Sequence, residues 1–252
     1  MNINFTGRIA LVTGAGKGIG RCIAIKLSEL GAKVFAVSRT EADLDSLKEE
    51  DSAIETRCLD IGNWKNTRKV IEDVGRVDLL VNNAGIVRHK SVLEASEEFT
   101  DEHFDVNFKA ALNISQIVAK GIISRKGSGA IVNISSISGI LTAPGFPMYC
   151  STKAAIDMLT KSMALECVPF KIRVNSCSPG GVLTPLGAMI LASQEQRDAF
   201  TGRIPMGRFI EQEEIANTVA FLLSDYASMI NGAVLPVDGG HIIHMALNPV
   251  KK

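Results

Sequence analysis

Arg8-Ile9-Ala10-Leu11-Val12-Thr13 runs into Gly14-Ala15-Gly16-Lys17-Gly18-Ile19-Gly20, and Lys33-Val34-Phe35-Ala36-Val37-Ser38 follows. The first run, 8–13, is apolar and predicts a strand that ends in glycines. From Gly18 to Leu30 the pattern turns helical, with Ile19, Ile23, Leu27 and Leu30 at core spacing and Gly31 closing the helix. Residues 33–38 give a second strand. A strand, a glycine-rich turn, a helix and another strand make one unit of a parallel sheet. Glycines at such a turn let the backbone approach a pyrophosphate, whose charge the helix N-terminus meets. The run departs from G-x-G-x-x-G, because Ile19 stands where the third glycine belongs. It fits G-x-x-x-G-x-G, with Gly14, Gly18 and Gly20.

The same alternation continues outward. Helices are predicted over 41–50, 63–73, 97–126, 147–166 and 211–224. Strands are predicted over 54–59, ending at Asp60, and over 77–82, 129–135, 171–177 and 232–237. The segment 184–205 reads as mobile, and the tail 241–252 runs past the last strand. Asn107 interrupts the 97–126 helix and predicts a bend there that holds a water, since asparagine competes for backbone groups in helix interiors. The fold class is therefore α/β: a single doubly wound, Rossmann-type domain over 1–252 with a parallel sheet of about seven strands.

Composition narrows the function. The chain has 252 residues, 46% hydrophobic and 21% charged, with zero formal net charge. A nucleic-acid binder would normally carry a basic excess. Met1 to Thr6 lacks the marks of a targeting peptide, and no apolar run reaches the length of a membrane span. The 5 cysteines are scattered and the 4 histidines form no cluster, which predicts no metal site and a reduced, soluble, cytoplasmic protein.

In a doubly wound sheet, ligands bind beyond the carboxyl ends of the strands. Polar and small residues collect there. Strand two ends in Ser38-Arg39-Thr40 where an NAD-preferring site would place a carboxylate. A guanidinium and two hydroxyls suit a 2′-phosphate, and Lys17 can add a second positive charge. Strand four ends in Asn82-Asn83-Ala84-Gly85, strand five in Asn133-Ile134-Ser135-Ser136, and strand six in Ser178-Pro179-Gly180-Gly181. On the helix that follows strand five, Lys153 lies four residues beyond Tyr149 and shares its face. An ammonium about 4 to 5 Å from a phenol favours phenolate by roughly 3 to 4 kcal/mol at an effective dielectric of about 20. That predicts a tyrosine brought close to neutral pH, able to give a proton to an alkoxide or take one from an alcohol.

Taken together, Gly14, Gly18, Gly20, Asn82-Asn83-Ala84-Gly85, Asn107, Ser136, Tyr149 with Lys153, and Pro179-Gly180 followed by Thr184 resemble the short-chain dehydrogenase/reductase family. The resemblance runs from Gly7 to Gly240. The spacing of 13 positions from Ser136 to Tyr149 matches the family and selects Ser136 over Ser135. Within it, the chain is similar to the dicarbonyl/L-xylulose reductases and related tetrameric carbonyl reductases, through Val12 to Arg21, Ala36 to Thr40, Ala42 to Leu47, Tyr149 to Lys153 with Asp157 to Lys161, and Lys171 to Asn175.

This resemblance implies NADP(H) as cofactor and hydride transfer at a small carbonyl compound. Asn107, Ser136, Tyr149 and Lys153 would form the catalytic set, with Lys153 also on the nicotinamide ribose and Asn107 fixing a water. The cofactor-binding set would be Gly14, Gly16, Lys17, Gly18, Ile19, Gly20, Ser38, Arg39, Thr40, Asp60, Asn83, Ala84, Gly85, Tyr149, Lys153, Pro179, Gly180, Val182 and Thr184. A homotetramer is implied as well. The loop Ile137 to Met148 is mostly apolar, which keeps a 3-oxoacyl-thioester or hydroxysteroid reductase open as an alternative. A silent NADP(H)-binding regulator is a third reading, set against an intact Tyr149 and Lys153.

Overall fold

The computed structural model describes residues 2–184 and 193–244. The chain winds as β1 (Ile9–Thr13), α1 (Gly18–Glu29), β2 (Lys33–Ser38), α2 (Glu41–Glu50), β3 (Glu55–Cys58), α3 (Trp64–Val74) and β4 (Leu79–Asn82). It continues with α4 (Glu97–Phe104), a π-turn (Asp105–Lys109), α5 (Ala110–Ser124), β5 (Gly129–Ile134), a short 3-10 turn (Ile137–Gly139) and α6 (Pro147–Cys167). After β6 (Ile172–Pro179) come α7 (Gln194–Thr201), α8 (Gln212–Leu223) and β7 (Val234–Val237). The seven strands are all parallel, in the order β3-β2-β1-β4-β5-β6-β7. This is the expected single doubly wound domain. Its winding direction reverses between β1 and β4, where such sheets open a crevice for ligands.

The central strands β1, β4 and β5 are buried on both faces and are apolar on both sides, whereas the edge strands β3 and β7 are partly exposed. On β1, Ala10 and Val12 point into one core with Ile23, Ala24 and Leu27 of α1, Leu44 and Leu47 of α2, and Ile215 and Val219 of α8. Leu11 points the other way, to a second core with Ile71 of α3, Ile114, Val118 and Ile122 of α5, and Met163 of α6. Each such side chain removed from water contributes about 1.5 to 3 kcal/mol.

Two expectations change. The 97–126 helix is not continuous: the π-turn at Asp105–Lys109 divides it, and Asn107 sits in that turn. Its Oδ1 accepts from Ile86 N–H at 2.7 Å, while Nδ2 donates to the Ile86 carbonyl at 2.9 Å and Thr152 Oγ1 at 3.0 Å. A wider helical turn gives the amide room to reach sideways. In the 184–205 segment, α7 is ordinary helix started by a capping box, Ser193 with Gln196. Residues 185–192 of that segment and 245–252 of the tail lie outside the described residues. Among the described residues no helix is long and apolar enough to cross a membrane.

Candidate active site

The turn between β1 and α1 is built for close approach. Gly14 has φ +65°, and a Cβ there would lie 2.7 Å from Ala84 Cα. A Cβ on Gly20 would collide with the Gly14 carbonyl and the Asn83 amide. At Gly16 it would come within 2.8 Å of Ser38 Oγ, so the loop lies directly against the end of β2. The α1 N-cap, Lys17, makes no side-chain cap bond, which leaves first-turn N–H groups for an anion. These features fit a dinucleotide pyrophosphate. Asn83 braces the loop: Nδ2 donates to the Thr13 carbonyl at 2.9 Å and the Gly14 carbonyl at 3.1 Å. Thr13 Oγ1 accepts in return from the N–H groups of Asn83 and Ala84.

Around β2, Ser38 is half-buried and Arg39 and Thr40 are exposed. Lys17 pairs with Asp43 at 3.5 Å, so its positive charge is partly offset, and Arg39 is the stronger cation near Ser38. Asp60, past β3, is exposed and its Oδ1 accepts from Gly62 N–H at 3.0 Å.

Beyond β4, β5 and β6 opens a cavity of about 400 Å³. Ile19, Asn83, Gly85, Ser136, Tyr149, Lys153, Pro179, Gly180, Val182 and Thr184 all line it. The remaining predicted residues, Gly14, Gly16, Lys17, Gly18, Gly20, Ser38, Arg39, Thr40, Asp60 and Ala84, do not line it. They lie along the β1–β3 side of the same sheet edge, as the adenosine end of an extended dinucleotide would require. Asn107 stands behind Gly85: a Cβ at Gly85 would lie 3.3 Å from Asn107 Oδ1 and 3.6 Å from Lys153 Nζ.

The three central side chains come from two elements. Ser136 ends β5 and its hydroxyl bonds the phenol of Tyr149; its Oγ also accepts from Ser138 N–H at 3.1 Å. Ser135 faces α6 instead, with Oγ donating to the Lys153 carbonyl at 3.2 Å. Lys153 is 4% exposed and its Nζ donates to the Ile134 carbonyl at 2.8 Å, 5.6 Å from the centre of the Tyr149 ring.

Electrostatics here correct the expectation for Tyr149. Burial raises its phenol above the ordinary value, a Ser136 hydrogen bond pulls it down, and Cys150 adds a small upward push. Desolvation of the phenolate decides the direction, and the shift toward neutrality expected from Lys153 is not found. Lys153 is itself pulled down to about 8 by burial, against the charge of Asp157. The ammonium donates to a backbone carbonyl and faces the Tyr149 ring.

Residues without a readable spacing complete the cavity: Val87, Ala143, Phe146, Phe200, Arg203 and Phe209. Phe200 and Phe209 stack with ring centres 5.7 Å apart. They come from separate loops and α7, so no periodic signal announced them. The amphipathic pattern around the Ser193 cap was the available clue.

A family model described as enoyl-(acyl carrier protein) reductase matches residues 14–241. The chain is 48% identical to the L-xylulose reductase of Bos taurus over 242 residues, which cover 96% of this chain and 99% of that one. It is 46% identical to the NADPH carbonyl reductase 2 of Sus scrofa over 242 residues, covering 96% and 99%. Among solved structures it resembles a gluconate 5-dehydrogenase from Burkholderia cenocepacia in complex with NADP and tartrate. That likeness has a TM-score of 0.91 at 31% identity and covers 97% and 98% of the two chains. Matched at this identity along nearly its whole length, the chain belongs to the short-chain dehydrogenase/reductase family.

Proposed function

We propose that this chain is an NADPH-dependent reductase of small carbonyl compounds, dicarbonyls and ketoses such as L-xylulose. One observation carries the reading: Ser136, Tyr149 and Lys153 line a single cavity together with Ile19 of α1 and Asn83 and Gly85 beyond β4. The names of the relatives support it, and so does the NADP held by the gluconate 5-dehydrogenase. NADPH, when bound, supplies hydride to the carbonyl carbon. Ser136 donates a hydrogen bond that positions the carbonyl oxygen, and Tyr149 gives that oxygen its proton. A raised phenol keeps Tyr149 protonated and ready to donate. Lys153 contributes a positive charge beneath Tyr149 and toward the ribose, and Asn107 holds the Gly85–Ile86 backbone against it. Ser38 and Arg39 meet a 2′-phosphate.

A second reading, a 3-oxoacyl-thioester or hydroxysteroid reductase, draws on the apolar wall of Val87, Ala143, Phe146, Phe200 and Phe209. A panel of diacetyl, L-xylulose, an acetoacetyl thioester and a ketosteroid, each with NADPH and NADH, separates the two. Oxidation of NADPH by diacetyl or xylulose is the expected result; turnover confined to the thioester or steroid would overturn the first reading. We also propose a homotetramer and a cytoplasmic setting, the latter supported by five free cysteines.

A further inference from the structure

Asp157 is a buried carboxylate that the chemistry above leaves without a part. It is 8% exposed, one helical turn beyond Lys153 on the covered face of α6. Its neighbours come from β6, the segment after β5 and the turn at 137–139. Ser176 Oγ donates to its Oδ1 at 3.0 Å, and the Ser135 hydroxyl lies beside it. Ser135 is the neighbour of Ser136, and it also ties β5 to α6 through the Lys153 carbonyl. The turn Ile137–Gly139 closes over the same carboxylate. A Cβ on Gly139 would lie 2.7 Å from Asp157 Oδ2 and 3.1 Å from Ala154 N, so only glycine lets the turn lie so close.

We propose that Asp157 is a positioning residue of this site: it lies buried one helical turn from Lys153 on the same face of α6, and it holds β6 and the turn after Ser136 against that helix. The inference rests on the reductase reading for its effect on turnover. A lone buried carboxylate costs free energy, and two serine hydroxyls and a nearby ammonium offset that cost. Burial alone drives Lys153 toward the neutral amine; Asp157 is the one charge found to oppose it. The other elements packed on α6 bring no competing charge to that place. β6 presents Ser176, and the 137–139 turn has no ionisable side chain. Asp105 and Lys109 of the π-turn pair with each other at 2.8 Å on the half-exposed side. On α4, His103 bonds the Phe99 carbonyl through Nδ1, and Glu102 pairs with Arg88. On α6 itself, burial raises the Tyr149 phenol, which keeps it neutral, and Lys161 acts on Asp157 from one turn further along the helix.

Asp157→Asn keeps the shape and the bond from Ser176 but removes the charge; Asp157→Ser is a second neutral variant. Isotope-labelled lysine Cε signals, with Lys153→Met for assignment, read the Lys153 titration in the ligand-free protein. The midpoint is expected near about 8 in the unmutated chain. In both neutral variants it should move to lower pH, by about threefold or more in proton concentration. The alkaline fall of kcat/KM for carbonyl reduction should move with it, where a purely structural role would lower turnover equally at all pH. A midpoint unchanged in whichever neutral variant folds overturns the proposal, even if activity has dropped. Absence of carbonyl turnover in the unmutated chain would instead sink the reductase reading, and the lysine midpoint would still decide the charge.

Discussion

At Tyr149 two forces oppose each other: burial resists ionisation and the Ser136 hydroxyl favours it. Burial prevails, which suits a group that must arrive protonated and give its proton to an alkoxide. Tyr149→Phe is expected to lower kcat by about a hundredfold or more, the usual scale of general acid work, while NADPH binding measured by fluorescence stays intact. Near-normal turnover in that variant would show that another group donates. Lys153 supplies the pH dependence. The folded chain holds it at about 8 against an ordinary 10.5, so between these values the unfolded chain binds more protons. Stability therefore rises with pH across that window, and below it the buried ammonium costs roughly 3 kcal/mol. Reductase activity should fall above about pH 8 as the charge is lost, in the same range where the melting temperature climbs. Lys153→Met should reduce almost nothing, and its melting temperature should lose the climb between about pH 8 and 10.5; a climb that persists would contradict the argument. At the other end of the crevice, Ser38→Asp with Arg39→Leu puts an anion where a cation faces the 2′ position. Preference measured as kcat/KM should then move from NADPH toward NADH, and equal use of both by the unmutated chain would remove the basis for it.

Among the elements, the π-turn is the joint on which the site hangs. Its Asn107 makes three hydrogen bonds that join α4–α5 to the β4 loop and to α6. Asn107→Ala leaves the Ile86 N–H and carbonyl unpaired in a buried place, an expected loss of about 2 to 4 kcal/mol. Denaturant unfolding checks the value, and a change under about half a kcal/mol would mean water or neighbours take over the bonds. The same turn shows how far the sequence could be read. An asparagine inside an apolar helix announced a bend, because its side chain competes for backbone groups, but not that the helix would widen. The strands and α1, α2 and α6 were legible through their periods and closing glycines. Ser136, Tyr149 and Lys153 were legible through spacing along one strand end and one helix. Phe200, Phe209 and Arg203 were not, since only tertiary folding brings their elements over the cavity. Asp157 was hidden for a different reason: at i+4 from Lys153 it reads as an ordinary helix ion pair, and its burial shows only in three dimensions. The phenol's direction was misjudged because pairwise Coulomb attraction was weighed without the desolvation of both partners.

On the scale of the whole molecule, the apolar residues of the 97–126 stretch are buried or half-buried within one chain, whereas α6 leaves some of its own exposed. Met158 is 60% exposed and Leu165 76%, with Val168 and Phe170 half-exposed just beyond the helix. At the far side of the sheet β7 is an edge strand with an unpaired edge. Exposed Tyr226 and Met229, the latter at 94%, lie between it and α8. Two separated surfaces of this kind suit two self-complementary contacts, each about its own two-fold axis, and two such axes generate a D₂ tetramer. Pairing α6 with its symmetry mate would also brace the helix that carries Tyr149 and Lys153, which links assembly to the reaction. Light scattering on dilute protein is expected to give a mass about four times that of one 27.0 kDa chain. Leu165→Arg, which places a charge in the α6 contact, should split that species into dimers held by the β7 side. A mass near a single chain for the unmutated protein would rule the tetramer out, and an undivided tetramer in the variant would place its contacts elsewhere than α6.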